Sequence, residues 1–252
     1  MPVHDKMPVD TEMAWIDDKE IQVWIEPYRP SKEPGDRMMS VLSPAEIQRA
    51  NAYYFHEDRK RYVQAHVLLR LILSEYAGMQ PQEIVYRIGA HGKPHLMPEN
   101  PVCFNLSHTK EMIAVAISSE RNVGIDIEKK ADIADIDCVA RQFMSRDECL
   151  TLRGMTADAK RDYFYQCWVQ KEALIKASGR GIDDNLRVYS VMDGNRRAGA
   201  KTIFTCVDET PNTWWLSLFE HEPDHIGAVC IESSDPQAYS IKIVCEDVLA
   251  GY

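Results

Sequence analysis

One pattern occurs twice in this 252-residue chain: a long amphipathic segment that ends at a glycine and leads into a short β-like run. In the first copy the periodicity predicts a helix over roughly residues 57–77, with Gly78 at its end and a strand at Ile84–Ile88. In the second copy it predicts a helix over about 157–178, with Gly179 at its end. Two copies of one helix–strand unit predict two similar halves.

The strands that follow each predicted helix correspond as well. Phe104–Ser107 precedes the apolar run Ile113–Ile117 in the first copy, and Trp214–Ser217 precedes Gly227–Ile231 in the second. A chance likeness between two helix–strand–strand units is the alternative to a true repeat. The pattern favours an α+β fold with two pseudo-symmetric halves, each a long helix packed on a small, mainly antiparallel sheet, with the active site between the halves.

This interpretation divides the chain into a loose N-terminal tail over residues 1–18, a first half over 19–121 and a second half over 122–252. Strands are predicted at Ile21–Ile25, Val102–Leu106, Met112–Ile117 and Val123–Ile127, and β-like runs near Leu186, Thr202, Trp214 and Ile226. Two shorter helices have strong start signals, because Ser43 and Ser145 are each followed three residues later by a glutamate, Glu46 and Glu148.

The balance of charge limits the possible functions. The chain has 29 lysines and arginines against 39 acidic residues, a formal net charge of −10. Broad nucleic-acid binding needs a basic surface, so any phosphate-bearing ligand must meet a local basic cluster. The seven cysteines include no C-x-x-C pair, as is typical of reduced thiols in the cytoplasm. No apolar stretch is long enough to cross a membrane, so we expect a cytoplasmic monomer with no membrane or nucleic-acid partner.

An acidic pair lies in the predicted strand Gly124-Ile125-Asp126-Ile127-Glu128. The strand period of two places Asp126 and Glu128 on one face and the isoleucines on the other. Two carboxylates that point the same way repel each other unless a cation lies between them, and Mg²⁺ prefers such oxygen ligands. A solvated edge strand that happens to carry two acids is the alternative.

The second long helix carries a stripe of polar and aromatic side chains. Trp168, Glu172 and Lys176 are spaced four residues apart and share one helix face. A surface Glu–Lys pair with a tryptophan packed beneath it would explain this spacing equally well. A third carboxylate close to the acidic pair would instead complete a metal site.

Groups that could hold a phosphate occur in three other places. These are the strand end Asn105-Leu106-Ser107-His108, the turn Gly92-Lys93-Pro94, and the basic residues Arg49 and Arg59–Arg61. Ser107 and His108 point to opposite faces of a strand, so they are not expected to form a nucleophile–base couple. A solvated helix face is the alternative for the arginines.

The order and spacing of these motifs, over residues 41–182, resemble the phosphopantetheinyl transferase superfamily. The two-half layout is similar to its surfactin-synthetase-activating class, in which one chain carries both halves. The resemblance implies an enzyme that transfers the 4′-phosphopantetheine of coenzyme A to a serine of an apo acyl or peptidyl carrier protein. It also implies Mg²⁺ as the cofactor and 3′,5′-ADP as the second product.

The resemblance further implies a role for each matching residue. The ligands of Mg²⁺ would be Asp126, Glu128 and Glu172. The contacts of coenzyme A would be Arg49, Arg61, Lys93 and Ser107 at the 3′-phosphate and adenine end, and His108, Lys171 and Lys176 at the diphosphate. The catalytic residues would be Glu172, Lys176 and His108. Glu172 would take the proton of the carrier serine, and Lys176 would neutralise or protonate the leaving phosphate.

One position departs from the family pattern. The surfactin-type enzymes carry a lysine for the nucleotide phosphate at the third position after the serine of the Ser-Pro pair. This chain has Glu46 there. The adenine end would therefore rest on Arg49 and Arg61.

Two other functions stay open at this point. A metal-dependent nuclease or phosphodiesterase is one, because an acidic pair followed by Glu-x-x-x-Lys also suits phosphodiester chemistry, although a charge of −10 counts against it. An inactive protein that only binds carrier proteins is the other. In the family the carrier docks near the helix after the acidic strand. That region holds Val139, Phe143 and Met144, which an ordinary core would also explain.

Overall fold

The computed structural model describes residues 16–98, 100–179, 186–191, 201–206, 212–221, 224–233, 235 and 239–252. Most of the predicted N-terminal tail, residues 1–15, therefore lies outside the described residues. Within these ranges, no helix is both long enough and apolar enough to cross a membrane.

The first half is built on one long helix and a four-stranded sheet. Its elements are β1 (Glu20–Pro27), α1 (Asp36–Val41), α2 (Pro44–Asn51), α3 (His56–Ala77), β2 (Val85–Ile88), β3 (Pro94–Met97), β4 (Val102–His108) and β5 (Met112–Ser119). The helix predicted over 57–77 is confirmed as α3. It ends where Gly78 adopts a left-handed backbone conformation, with φ of 62°.

The second half repeats this plan. Its elements are β6 (Val123–Lys129), α4 (Ile136–Phe143), α5 (Arg146–Arg153), α6 (Ala157–Ser178), β7 (Lys201–Cys206), β8 (Asn212–His221) and β9 (His225–Glu232). The helix predicted over 157–178 is confirmed as α6, which also ends at a left-handed glycine, Gly179, with φ of 63°. The β-like run predicted near Leu186 is wrong, because Leu186–Val188 forms a 3₁₀ turn.

The last strand returns to the first half. β10 (Ser240–Val244) runs parallel to β1 at the edge of the first sheet, and a 3₁₀ turn at Val248–Gly251 follows it. There the backbone N–H of Leu249 donates to the buried carboxylate of Glu26 at 3.1 Å. Residues 240–252 thus pack with the first half. The prediction that residues 122–252 form the second half therefore differs from the structure, because the last thirteen of these residues pack with the first half.

Each sheet packs one face on its long helix and the other on its partner sheet. The strand orders are β10-β1-β5-β4 and β6-β9-β8-β7, with β2 and β3 as a separate hairpin. Because successive strand residues point to opposite faces, Ile113, Val115 and Ile117 join the core under α3, while Ala114 and Ala116 face the second sheet. The predicted α+β fold of two helix-on-sheet halves is confirmed.

Both predicted helix starts are confirmed, and each is tied to a buried ion pair. The two capping boxes are Ser43 with Glu46 at α2, and Ser145 with Glu148 at α5. In the first half Glu46 also pairs with Arg70 of α3 at 2.7 Å. In the second half Glu148 pairs with Lys171 of α6 at 2.8 Å. The same arrangement at nearly the same spacing supports a true internal repeat.

Helix α6 lies very close to strand β6 at Gly124. A β-carbon at this position would lie 2.0 Å from the carbonyl oxygen of Ala173 and 2.4 Å from the backbone nitrogen of Ala177. Both neighbours are backbone atoms, so no side-chain movement could make room. Glycine therefore allows the approach that brings residues 172–176 of the helix over the strand that carries Asp126.

We expect Gly124→Ala to destabilise the protein by about 1–3 kcal/mol, because an added methyl group would force helix and strand apart. Urea unfolding followed by tryptophan fluorescence measures this change. Gly154→Ala is the matched control. Gly154 follows α5 with ordinary backbone angles, and an added β-carbon there would meet its nearest atom at 3.8 Å. Equal stability of the two variants would contradict the close contact at Gly124.

Candidate active site

The two sheets meet at β4 and β6, where side chains of β4 accept hydrogen bonds from the backbone of β6. The amide oxygen of Asn105 accepts from the N–H of Ile125 at 2.9 Å. The hydroxyl of Ser107 accepts from the N–H of Ile127 at 3.4 Å. Two alternate side chains of β4 thus bind two alternate backbone N–H groups of β6. These two hydrogen bonds fix β6 against the first half and thereby fix the position of Asp126.

Asp126 is the centre of the site, and only 4 % of the residue is exposed. One carboxylate oxygen, Oδ1, accepts from the Ser107 hydroxyl at 2.9 Å and from the Lys176 ammonium at 2.7 Å. Lys176 also donates to the Ser107 hydroxyl at 3.1 Å, so side chains from β4, β6 and α6 form a closed triangle. The other oxygen, Oδ2, is buried and has no hydrogen-bond partner in the part of the chain that the structure describes.

Two further carboxylates lie near Asp126. Burial raises the pKa of Glu128 to about 7, and the negative charge of Asp126 adds to the rise. The indole N–H of Trp168 donates to Glu128 Oε1 at 3.3 Å. Burial, followed by the charge of Asp126, also raises the pKa of Glu172. The structure thus brings all three predicted acids within electrostatic reach of one another.

These acids suit a hard divalent cation, although they do not form a finished metal cage. Among the described residues, no three His, Cys, Asp or Glu side chains are already arranged to hold one ion. The donor set consists of carboxylate oxygens, which Mg²⁺ and similar ions prefer. The buried Oδ2 of Asp126 offers a ligand, and a cation would relieve the repulsion that helps to raise the pKa values of Glu128 and Glu172.

Basic side chains of the first half lie near Lys176 of this cluster. Desolvation lowers the pKa of His108, at the end of β4, and the charges of Arg61 and Lys176 lower it further. Arg61, near the start of α3, pairs with Asp58 at 2.8 Å, and its guanidinium lies 5.2 Å from the ring centre of Tyr28. An anion next to His108 would therefore feel the positive charges of both Arg61 and Lys176.

One more guanidinium and an imidazole extend this basic side. The guanidinium of Arg49 lies 6.0 Å from the ring centre of Tyr62, and Tyr62 stacks on His66 with 4.0 Å between ring centres. His66, which no sequence motif indicated, contributes to lowering the pKa of His108. Arg49 and His66 therefore belong to the same electrostatic environment as His108.

The unexpected Glu46 has a structural role. It closes the capping box of Ser43, pairs with Arg70 in the core and faces His66 at 3.3 Å. Burial acts to raise the pKa of Glu46, but the contact with His66, the hydrogen bonds with Ser43 and the charge of Arg70 hold it at about 2. Glu46 is thus an ionised internal anchor for α2, and the basic side of the site has no lysine at this position.

Comparison with known proteins decides the family. The 4′-phosphopantetheinyl transferase superfamily profile matches residues 122–230, and the profile for the N-terminal part of 4′-phosphopantetheinyl transferases matches residues 26–120. The 4′-phosphopantetheinyl transferase HetI of Nostoc sp. is 31% identical over 182 residues, which are 71% of this chain and 76% of HetI. The chain belongs to the 4′-phosphopantetheinyl transferase superfamily.

Other relatives agree with this assignment to the transferases. The 4′-phosphopantetheinyl transferase Sfp of Bacillus subtilis is 29% identical over 81% of this chain and 88% of Sfp. The 4′-phosphopantetheinyl transferase psf-1 of Bacillus pumilus is 28% identical over 93% of this chain and 94% of its own length. The resemblance to the surfactin-activating type is therefore confirmed.

The expectation that Lys171 of this transferase contacts a diphosphate is wrong. The residue is fully buried, and its ammonium pairs with Glu148. It also donates to the backbone carbonyls of Phe143 at 3.1 Å, Leu186 at 2.9 Å and Tyr189 at 2.6 Å. The 3₁₀ turn that replaces the predicted strand brings the last two carbonyls to this ammonium. Lys171 therefore links α4, α5 and the 3₁₀ turn to α6 within the core of the second half.

Lys93 and Ser107 are also engaged within the protein. The ammonium of Lys93 donates to the backbone carbonyls of Val123 at 2.9 Å, Lys176 at 2.7 Å and Ala177 at 3.0 Å, which uses all three of its N–H groups. Ser107 donates its single hydroxyl proton to Asp126. Both residues therefore lie where the two halves meet, which we call the joint between the halves. Their contacts with a 3′-phosphate stay predictions, and these internal hydrogen bonds do not favour them.

Two contributors to the site had no role assigned from the motifs. Asn105 lies two residues before Ser107, and the strand period predicts that the two share a face. Trp168 lies one helical turn before Glu172, and its indole reaches the acid on the neighbouring strand. Periodicity thus places both residues correctly, but the partners of their polar atoms come from another element.

We expect Lys171→Met to destabilise the transferase by about 3–5 kcal/mol, because Glu148 would stay buried without its cation. Urea unfolding measures the loss. Lys129→Met is the matched control, since Lys129 pairs with Glu111 at the surface, where an ion pair contributes only about 0–1 kcal/mol. A fully stable Lys171→Met protein with a raised KM for coenzyme A would instead support a contact between Lys171 and the diphosphate.

Proposed function

We propose that this transferase moves the 4′-phosphopantetheine group of coenzyme A to a serine hydroxyl of an apo acyl or peptidyl carrier protein. Mg²⁺ is the proposed cofactor, and 3′,5′-ADP the second product. The observation that best supports this is the joint between the halves, where three acids centred on Asp126 meet Lys176, with His108 and Arg61 nearby. Displacement at phosphorus requires both charge neutralisation and a positioned base, and this arrangement offers both.

The proposed ligands of Mg²⁺ are Asp126, Glu128 and Glu172. The bound ion would neutralise charge on the oxygens of the diphosphate. Hydrogen bonds orient two of these carboxylates: Ser107 donates to Asp126, and Trp168 donates to Glu128. Such outer partners orient metal ligands and commonly matter almost as much as the ligands themselves.

Glu172 is the proposed general base. Its pKa is raised by burial and by Asp126, which suits a group that accepts a proton near neutral pH. The serine oxygen bonds to the phosphorus that carries the pantetheine arm, and the bond from that phosphorus to the bridging oxygen breaks. The serine proton passes to Glu172. Lys176 neutralises or protonates the phosphate of the departing 3′,5′-ADP.

The nucleotide end of coenzyme A suits the basic side of the site. We assign the diphosphate to His108 and the 3′-phosphate to Arg61 and Arg49. The ring contacts of both guanidinium groups, with Tyr28 and Tyr62, restrict their orientation before any ligand binds. A pre-oriented charge loses less conformational entropy on binding, so these contacts favour affinity for the phosphate.

The carrier protein is proposed to approach over α4 and α5. Val139 of α4 is 37% exposed and is available to a partner. Phe143 and Met144, in contrast, are 3% and 0% exposed and belong to the core of the second half. Of the three residues considered for carrier docking, only Val139 is retained.

Transfer is tested by incubating several apo carrier proteins with coenzyme A, Mg²⁺ and this protein, followed by intact mass spectrometry. We expect a carrier to gain one phosphopantetheine. Glu172→Gln should lower kcat by roughly 10²–10⁴-fold, because it removes a positioned base with almost no change in shape. Its melting temperature should not fall, since burial already disfavours the charged form of Glu172.

Glu75→Gln is the matched control for this test. Glu75 lies on the other long helix, and burial also raises its pKa, but the neighbouring charge there is Glu246 and not Asp126. The control variant should keep wild-type turnover. If no carrier gains the group, the proposed function is wrong. If Glu172→Gln turns over like the wild type, then Glu172 is only a helix-surface partner of Lys176.

We expect Arg61→Ala to raise the KM for coenzyme A by about ten- to hundredfold, because one charge-assisted phosphate contact contributes roughly 1.5–3 kcal/mol. The effect should be much smaller with 3′-dephospho-coenzyme A as the donor. Arg59→Ala is the matched control, since Arg59 is half-buried on the same helix and its guanidinium donates to Asn51 at 3.4 Å. An equal effect of Arg61→Ala on both donors would show that Arg61 does not contact the 3′-phosphate.

A further inference from the structure

The turn of the β2–β3 hairpin sends one lysine across the boundary between the halves. Lys93 belongs to the first half, and the acceptors of its ammonium, the carbonyls of Val123, Lys176 and Ala177, all belong to the second. Two of them lie in the last turn of α6, and the third lies at the first residue of β6. A single side chain thus connects three segments that are distant in sequence.

The end of α6 has a physical need for such a group. The last carbonyls of a helix lack partners within the helix, and they carry the negative end of its dipole. The ammonium of Lys93 satisfies two of these carbonyls and complements the dipole. The side-chain stem of Lys93 also packs against the helix end, since a β-carbon on Gly179 would meet Lys93 Cδ at 3.3 Å.

Both segments that Lys93 holds carry groups of the site. The helix end bears Lys176, whose own ammonium reaches Asp126 at 2.7 Å. The strand that starts at Val123 bears Asp126 three residues further on. A shift of either segment would change the distance between Lys176 and Asp126.

We propose that Lys93 is a positioning residue of the transfer site. It joins the end of α6 and the start of β6 to the first half, and it thereby sets the alignment of Lys176 and Asp126. Its effect on turnover rests on the function proposed above. Its effect on the helix end does not.

A direct contact between Lys93 and a phosphate would disrupt this arrangement. The ammonium would have to leave Val123, Lys176 and Ala177, and their carbonyls would lose a charged hydrogen-bond donor. Buried backbone acceptors are rarely left without partners in folded proteins. The geometry therefore favours the positioning role over a phosphate contact.

The test compares Lys93→Met with the wild type in two ways. The first is hydrogen–deuterium exchange of the backbone amides of residues 123–127 and 173–179 without any substrate. We expect exchange there to become about tenfold faster or more, because charged hydrogen bonds that hold both segments are lost. Lys110→Met, at an exposed lysine, is the matched control and should leave exchange unchanged.

The second comparison uses steady-state kinetics with coenzyme A and with 3′-dephospho-coenzyme A. A misaligned site lowers kcat, so we expect Lys93→Met to reduce kcat by roughly 10- to 100-fold with both donors. The KM for coenzyme A should change by less than about threefold, since no phosphate contact is removed. Lys93→Arg, which keeps the charge and the donors, should recover part of both kcat and exchange protection.

The outcomes separate the possibilities. Unchanged exchange in residues 123–127 and 173–179 would overturn the proposal. So would a rise in KM that is confined to coenzyme A, because that result identifies a contact with the 3′-phosphate. If Lys93→Met does not fold, Lys93→Gln replaces it in the same two measurements. If the wild type transfers nothing, the proposed function fails, and the exchange experiment still decides whether Lys93 holds the helix end.

Discussion

The rest of the site depends on one buried carboxylate, that of Asp126, which both halves hold. Such burial is tolerated only where hydrogen bonds and an opposite charge replace water. Ser107 of the first half and Lys176 of the second supply these at the same oxygen. Because the Ser107 hydroxyl also accepts from Ile127, and Asn105 makes the equivalent contact two residues earlier, the acid cannot move without loosening the joint between the sheets. The same hydrogen bonds therefore determine both the geometry of the site and the packing of the two halves.

The two halves share a scaffold but present opposite charges to each other. In each half a capping glutamate is buried against a cation of the long helix, Glu46 against Arg70 and Glu148 against Lys171. Within each pair the two charges neutralise each other inside the core. The charge at the joint between the halves therefore comes from other residues. The guanidinium groups of Arg49 and Arg61 belong to the first half, and the acids Asp126 and Glu128 lie on β6 of the second. One repeated unit thus provides a basic side and an acidic side of the proposed site.

Much of the fold and part of the site follow from periodicity in the sequence. The helix predicted over 157–178 has those bounds in the structure, and the period of two places Asp126 and Glu128 together. The same reasoning could have placed Lys171 correctly, because one helical residue is about 100° of rotation and turns Lys171 away from Glu172. No local pattern indicates the partners of Lys93, since they are backbone carbonyls that only the tertiary fold brings together. The return of β10 to β1 is unpredictable for the same reason.

In the folded chain the ionised forms of the acids on the acidic side of the site are unfavourable, because burial and mutual repulsion act against them. The pKa of Glu128 is raised from 4.5 to about 7. The stability that this shift contributes is therefore fully present below pH 4.5 and is lost as the pH rises through 7. The pKa of Glu172 is raised in the same direction, so ionisation of both acids beside Asp126 leaves more negative charge than Lys176 can balance. A divalent cation at these carboxylates must displace the protons that they hold, because it binds their ionised forms. Binding of the proposed cation would thus be coupled to proton release, and it would relieve the repulsion among the acids.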